Sequence, residues 1–172
     1  MILRVITAAV FVSFVAAGAA PAQTFHQRDA LIGHESFAIQ IVGLGDGEMA
    51  QKLGIDGGAL HGEVIRRATA AGVKVEDLAD DGARAQLEIK VILAFHESVE
   101  LAIWSTEAAV KQAFVDPNGR FLYAATWSSG GYVGAAVLAR AREEIESSVY
   151  SQLEKFLADH QTSRRSGREN PE

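Results

Sequence analysis

The sequence predicts an α+β fold: a two-layer sandwich in which two helices cover one face of a four- to five-stranded, mostly antiparallel sheet. Residues 87–95 alternate apolar and polar side chains, which is typical of a strand with one buried face. Two other segments repeat apolar residues at helical spacing. The elements run strand, helix, short strand, three-strand meander, helix, and two amphipathic helices can cover one face of such a sheet.

The N-terminal residues have the pattern of an export signal. Arg4 precedes an almost wholly apolar run from Val5 to Ala20, and Ala20-Pro21-Ala22 places small residues before a cleavage site. A membrane-spanning helix is the alternative, but the run of about 16 residues is shorter than the roughly 20 that a span needs. The chain has no Cys to carry a lipid. We therefore expect a periplasmic or secreted product without a stable membrane anchor.

The composition of the chain argues against several classes of function. The formal net charge is −6, and an acidic protein gains nothing from a phosphate backbone, so we expect no nucleic-acid partner. The absence of Cys excludes a disulfide framework and thiol chemistry. We expect a signal peptide at residues 1–22, a disordered lead-in at 23–35, one α+β domain at 36–160 and a disordered tail at 161–172.

The domain begins with a strand at 36–44 and a glycine-rich turn at 43–47. A phosphate cradle is the alternative for this turn. Its glycine spacing fits neither the dinucleotide fingerprint nor the P-loop, and Asp46 would repel a phosphate, so a flexible turn is favoured.

A helix is predicted over 57–71, with Asp56 as its N-cap and Gly72 at its end. A short strand at 73–75 follows, and the unit is typical of a crossover between parallel strands. The acidic loop at 76–82 lacks the regular ligand spacing of a calcium site.

The central strand is expected to turn at 96–98 and to pair Phe95 with Val99, which sets the rest of the register. The buried parity then changes from odd to even along the next strand, so we expect a bulge between Trp104 and Glu107. A turn at 116–119 predicts that Val115 pairs with Arg120.

A glycine-rich connection at 128–134 is expected to lead into the longest helix, from Ala135 to about His160. The buried stripe of this helix is predicted to contain Leu138, Ala141, Ile145, Val149, Leu153 (or Gln152) and Phe156.

The segment from Phe37 to His160 resembles a family of exported, uncharacterised bacterial proteins. The resemblance lies in Val64 to Val75, the meander, Ala125-Thr126-Trp127-Ser128 with the following glycines, and the closing helix. Its layout is also similar to the small α/β domains at the N-terminus of TolB and in envelope transport accessory lipoproteins. The resemblance implies an envelope location and supplies no catalytic residue.

A catalytic or metal site is not indicated by the residue spacing. The five His residues are scattered, without the paired spacing of a metal site, so no metal or cofactor is expected. Ser128 and Ser129 lie beside glycines, but no sequence feature assigns them a base. The alternative function is an envelope hydrolase whose Ser, His and acid come together only in the fold.

A binding or adaptor module is the favoured function, acting on an envelope protein through an open sheet face or edge. The open face is expected to carry Glu88, Lys90, Ile92, Ala94, Glu100 and Ala102, and Trp104 joins them unless the bend turns it inward. Core or edge packing is the more usual role for both tryptophans, and the sequence does not indicate an oligomeric state. The candidate binding residues are Trp104, Ile92, Lys90, Trp127 and Tyr132.

Overall fold

The computed structural model describes residues 25–44, 47–77 and 85–169. Within them lie a six-stranded mixed sheet and four α-helices. This agrees broadly with an α+β sandwich, whereas the expected four or five strands and two helices are wrong in number. In chain order the elements are α1 (Phe25–Asp29), β1 (Ser36–Val42), α2 (Glu48–Lys52), α3 (Gly57–Ala70), β2 (Lys74–Glu76), β3 (Gln86–His96), β4 (Leu101–Val115), β5 (Phe121–Ser128), β6 (Tyr132–Val137) and α4 (Leu138–Glu169).

Several sequence expectations fall outside the described residues. These are the signal segment 1–22, the centre of the turn at Asp46, the acidic loop beyond Asp77, and the last residues of the tail.

The sheet order is β2-β1-β3-β4-β5, and β6 also pairs with β4. β1 is parallel to both β2 and β3, which confirms the predicted crossover through α3. The remaining pairs are antiparallel. β5 lies along the C-terminal half of β4 and β6 along its N-terminal half. β5 and β6 therefore lie one after the other along the same side of β4.

Ser129 bridges the gap between β5 and β6. Its amide donates to the Ala108 carbonyl at 2.9 Å, and its hydroxyl accepts from the Ala108 amide at 2.9 Å. A side-chain oxygen thus replaces the carbonyl that a regular ladder would supply at this point.

The core lies between the sheet and the helices α3 and α4. Leu87, Ile89 and Val91 of β3 are buried, as their odd-numbered parity predicts. Phe156 of α4 meets Phe37 of β1 edge to face, with ring centroids 5.0 Å apart. The predicted α4 stripe from Ala141 to Phe156 is buried.

The structure confirms the helix α3 that the sequence predicts. The Asp56 carboxylate accepts from the Ala59 amide at 2.9 Å and so caps the helix. Leu60, Val64 and Ala68 form its buried stripe. The Arg67 guanidinium lies 3.8 Å from the ring centre of Tyr150 on α4, which joins the two helices by a cation–π contact.

The predicted register of the β3–β4 hairpin is wrong. Phe95 pairs with Ala102 and Leu93 with Trp104, because a 3₁₀ turn over Glu97–Val99 and a left-handed Glu100 (φ 47°) lengthen the connection. Even-numbered residues of β4 therefore face the core without interruption from Ala102 to Val110. The expected bulge between Trp104 and Glu107 is absent from this described strand.

The β4–β5 register also differs from the prediction. Val115 pairs with Phe121 rather than with Arg120, and the irregularity in this ladder lies between Val110 and Lys111. There the partners change from Trp127 to Ala125, so Thr126 is the extra residue.

The strand β6 replaces the expected glycine-rich connection and the first turn of the long helix. Gly134 pairs with Trp104, and the indole occupies the space that a side chain at Gly134 would need. This glycine marks a close approach between a backbone and an aromatic ring, which is one of its uses in strands.

Both ends of the domain are more ordered than the sequence suggests. Leu31, in the expected lead-in, is fully buried. Ser163, in the expected tail, donates to the Arg28 carbonyl at 2.7 Å from within α4, which continues to Glu169. Arg28 in turn forms an ion pair with Asp159 at 3.0 Å. Contacts between the two segments stabilise both. The sequence of either segment, considered alone, does not indicate these contacts.

Candidate functional site

The sheet face opposite the core, here called the outer face, carries apolar side chains at its β3–β4 hairpin end. The register aligns them in three rows across β3, β4 and β6: Ile92–Ser105–Val133, Ala94–Ile103–Ala135 and His96–Leu101–Val137. Directly opposed residues have their Cβ atoms about 4.5–5.5 Å apart, so the apolar members are neighbours. We call this set the outer patch: Ile92, Ala94, Leu101, Ile103, Val133, Ala135 and Val137.

The outer patch is open to solvent. Ile92 is 53% exposed, Ile103 41%, Val133 72% and Val137 55%. Single exposed apolar residues are ordinary on protein surfaces, whereas a contiguous group marks interaction sites. The sequence places Ile92 and Ala94 here correctly. It misses Ile103 and the β6 residues, because Gly134, Ala135 and Ala136 give no clear strand signal.

The middle of the outer face is charged and internally paired. The Glu88 carboxylate accepts from Lys111 Nζ at 2.7 Å and from Gln40 Nε2 at 3.0 Å. Lys90 is exposed and lies opposite Glu107 in the register, as expected for the open face. The outer face therefore has an apolar end, toward the hairpin, and a charged middle. Apolar residues are exposed again at the opposite end, where Val115 is 62% exposed and Tyr123 is 56% exposed.

The two ends of the sheet differ in how their edges are protected. The edge strand β2 is three residues long and carries an ion pair between Lys74 and Glu76 at 2.8 Å. β6 is six residues long and contains no charged residue. Short, charged edge strands resist pairing with other chains, and long uncharged ones favour it. The β6 edge adjoins the outer patch.

The two tryptophans do not belong to this surface. Trp104 is 3% exposed and Trp127 is 1% exposed, and both lie in the core. The expected position of Trp104 on the open face is wrong, because the hairpin register turns the even-numbered residues of β4 from Ala102 to Val110 inward. Ala102 is buried for the same reason. Tyr132 is exposed, but it lies opposite Thr106 on the helix side of β6.

Serine, histidine and acid side chains do come together at the C-terminal part of α4, but in the interior. Asp159 accepts from Trp127 Nε1 at 3.1 Å, and His160 Nε2 lies 3.0 Å from the His34 carbonyl, to which it donates. The Ser163 hydroxyl donates to backbone carbonyls. Each of these side chains is buried and already bonded to structural partners. The arrangement fastens the N-terminal segment rather than presenting a nucleophile.

The other predicted or possible nucleophiles also have structural partners. Ser128 donates to Glu107 at 3.1 Å, and Ser129 bridges the β5–β6 gap. Ser98 Oγ lies 3.1 Å from His96 Nδ1, two residues away on the exposed hairpin turn. A nucleophile and base need a water-excluded site to stabilise developing charge, and this open turn does not provide one.

Within the described ranges, no group of three or more His, Asp or Glu side chains is placed to hold a metal ion. No helix in the same part of the chain is long and apolar enough to cross a membrane.

The His34 imidazole is held in its neutral form. Gln112 Nε2 donates to the Ala30 carbonyl at 3.1 Å and lies 2.9 Å from His34 Nε2. Since an amide nitrogen only donates, His34 Nε2 accepts and its proton is on Nδ1. Burial of the ring, and secondarily the nearby His160, lower the pKa of His34 below its ordinary 6.5.

Acidification should therefore destabilise the protein through His34. A group whose folded pKa is depressed stabilises the fold above its unfolded pKa, and this contribution is lost as the pH falls through the folded value. We expect the urea midpoint to decrease between about pH 7 and pH 5, and less so in a His34→Gln variant. The difference between parent and variant isolates this residue. Identical pH profiles would contradict the assignment.

No family model and no curated protein matches the chain. Among solved structures, it is similar to a minor lipoprotein from Acinetobacter baumannii, with 10% sequence identity, 80% of this chain and 90% of that chain covered, and a TM-score of 0.28. A similarity at this level carries no argument about function. The likeness in layout to TolB and the accessory lipoproteins stays an expectation.

Proposed function

We propose that this protein is a binding or adaptor module of the cell envelope, which holds a protein partner on the outer patch and the adjoining β6 edge. The observation that carries the proposal is the alignment of exposed apolar residues across three strands, beside an edge strand without charge. A partner strand could pair with β6 through its backbone while its side chains cover Val133 and Val137.

The envelope location rests on the N-terminal sequence. An apolar run after Arg4 and the small residues at Ala20 and Ala22 favour export and cleavage. The protein would then act in the periplasm or outside the cell.

Two charge substitutions in the outer patch should abolish partner binding without unfolding the protein. Ile103→Glu and Val133→Glu, combined, place two carboxylates on exposed positions of adjacent strands. A charge on the outer patch would have to be desolvated in a complex, so capture from an envelope extract should fall about tenfold or more. The thermal midpoint should change little, because exposed positions are usually near neutral.

Val115→Glu is the matched control. Val115 is 62% exposed and lies on the same strand as Ile103, but at its far end. It should leave capture unchanged. Equal capture by the parent and the double variant would contradict the proposed surface.

A further inference from the structure

β1 leaves β3 partway along that strand. The β1–β3 ladder ends at the pair Val42–Lys90, whereas β3 continues to His96. Gly43 turns the chain away with a φ of 92°. Only glycine fits there, because the Val91 carbonyl oxygen occupies the space that a side chain would need. Beyond Lys90, no strand among the described residues lies beside β3 on the side where β1 would have continued. We call this open side of β3 the vacant lane.

The backbone of β3 presents unpaired groups to this vacant lane. In an antiparallel ladder, alternate residues direct both their N–H and C=O groups to the same neighbour. The Val91 carbonyl points to Gly43, and therefore into the lane. Leu93 and Phe95 must do the same, whereas Ile92 and Ala94 bond to β4. An added strand would find two donors and two acceptors here.

Two adjoining cavities lie along the lane, and both are lined by Met49 of α2. One, of about 420 Å³, extends from Val42 to Leu93. The other, of about 380 Å³, has apolar walls at Met49, Leu53, Phe95 and Leu138. Volumes of this order and apolar walls are typical of sites that take a side chain or small group. Together the cavities form a groove between α2 and the edge of β3.

The ends of the groove carry opposite charges. Lys90 borders the first cavity, whereas Glu97 and Glu100 border the second. Lys52 is also at the second cavity, but it pairs with Glu48 at 3.1 Å and lies 4.0 Å from Glu97. The hairpin end of the groove is therefore acidic overall. A basic residue at that end of a bound segment would complement it.

We propose that this groove binds an extended peptide segment of a partner protein by strand addition to β3. The segment pairs its backbone with Leu93 and Phe95. One apolar side chain enters the cavity between Leu53 and Phe95, and a neighbouring basic residue lies at Glu97 and Glu100. This site goes beyond the proposed function, since its pairing groups are on the edge of β3 and not on the β6 edge, and Ile92 is the outer-patch residue that also borders the first cavity.

Fluorescein-labelled heptapeptides test the proposal with the full mature chain. The probes are Thr-Leu-Thr-Leu-Thr-Lys-Lys and its reversed sequence, because a strand could add in either direction. One of them should bind in fluorescence anisotropy. By NMR, hydrogen exchange at the Leu93 and Phe95 amides should slow about tenfold or more at saturation, and exchange at Ile92 and Ala94 should not change.

Altered peptides separate strand addition from simple hydrophobic or charge attraction. N-methylation removes one backbone donor, at the second Leu in one peptide, which tests an antiparallel strand, and at the second Thr in another, which tests a parallel one. Glu-Glu in place of Lys-Lys reverses the charge. The charge reversal and one of the two N-methylations should each weaken binding about tenfold or more. Full binding of both N-methylated peptides would overturn strand addition.

Variants of the protein locate the binding. Leu53→Lys puts a charge at the apolar cavity and should weaken binding about tenfold or more, whereas the Glu97→Lys and Glu100→Lys double variant should come to prefer the Glu-Glu peptide. Ile103→Glu, on the outer patch, is the matched control and should bind as the parent does. Loss of partner capture in that variant, with peptide binding kept, separates this site from the proposed function.

Three further results would also overturn the proposal. They are no binding of either peptide up to about 1 mM, equal binding by Leu53→Lys, and slowed exchange in β6 instead of at Leu93 and Phe95.

Discussion

Replacing Trp104 with alanine is expected to lower the free energy of unfolding by about 3–5 kcal/mol, as large-to-small changes of buried aromatic residues do. The indole is 3% exposed, and it lies against the backbone of Gly134 on the neighbouring strand. No side chain at Gly134 can move into the space that the indole leaves. The substitution should therefore create a cavity under α4, and urea unfolding monitored by circular dichroism measures its cost.

Trp104→Phe is the matched control. The indole Nε1 is buried and has no hydrogen-bond partner among the described residues. A buried donor without a partner destabilises the folded state by about 1–3 kcal/mol. Phenylalanine removes this donor and keeps most of the apolar contact. We expect its stability within about 1.5 kcal/mol of the parent. A Trp104→Ala variant as stable as the parent would show that the indole is not in the core.

Phe156→Ala should have a comparable effect, about 3–5 kcal/mol. This fully buried ring is at the centre of an aromatic cluster. It meets Phe37 and Trp127 edge to face, with centroids 5.0 and 5.6 Å away, and stacks on His160 at 5.6 Å. The substitution thus removes contacts to β1, β5 and its own helix at once.

Lys155→Ala is the control for this position, since Lys155 is the exposed neighbour on the same helix. It should lie within about 0.5 kcal/mol of the parent. Equal denaturant midpoints for the two variants would contradict the assigned face of α4.

Local signals in the sequence predict a large part of the fold. The Asp56 cap and the Leu60, Val64 and Ala68 stripe define α3, because capping and helical spacing act within a few residues. The alternation in β3 also assigns Glu88 and Lys90 to one face and Ile89 and Val91 to the other. Toward His96 the burial decreases, and Leu93 and Phe95 are half-buried since β1 no longer lies beside them.

Local signals in the sequence did not predict the register between neighbouring strands. A left-handed Glu100 is uncommon for a residue with a side chain, and it changes the length of the hairpin connection. A change of parity inverts the facing of a whole strand, so the connection formed by the 3₁₀ turn and Glu100 determines whether Trp104 or Ile103 is exposed. The expected open face was correct on β3 and wrong on β4 for this reason.

Long-range contacts account for the other differences. β6 contains two alanines and a glycine, which do not favour a strand by themselves, and it forms because β4 supplies a ladder and Trp104 covers Gly134. The segments around Arg28 and Ser163 are polar and appear unstructured when each is considered alone. Their mutual bonds, with Asp159 between them, join them to the domain.

Site-specific photo-crosslinking most directly tests whether the outer patch holds a protein partner. A photoreactive phenylalanine is placed at Ile103 in one variant and at Val115 in another, both exposed and both on β4. After illumination of intact cells, we predict a discrete crosslinked partner from Ile103 and none from Val115. The same crosslinked species from both positions, or none from Ile103, would contradict the proposed binding surface.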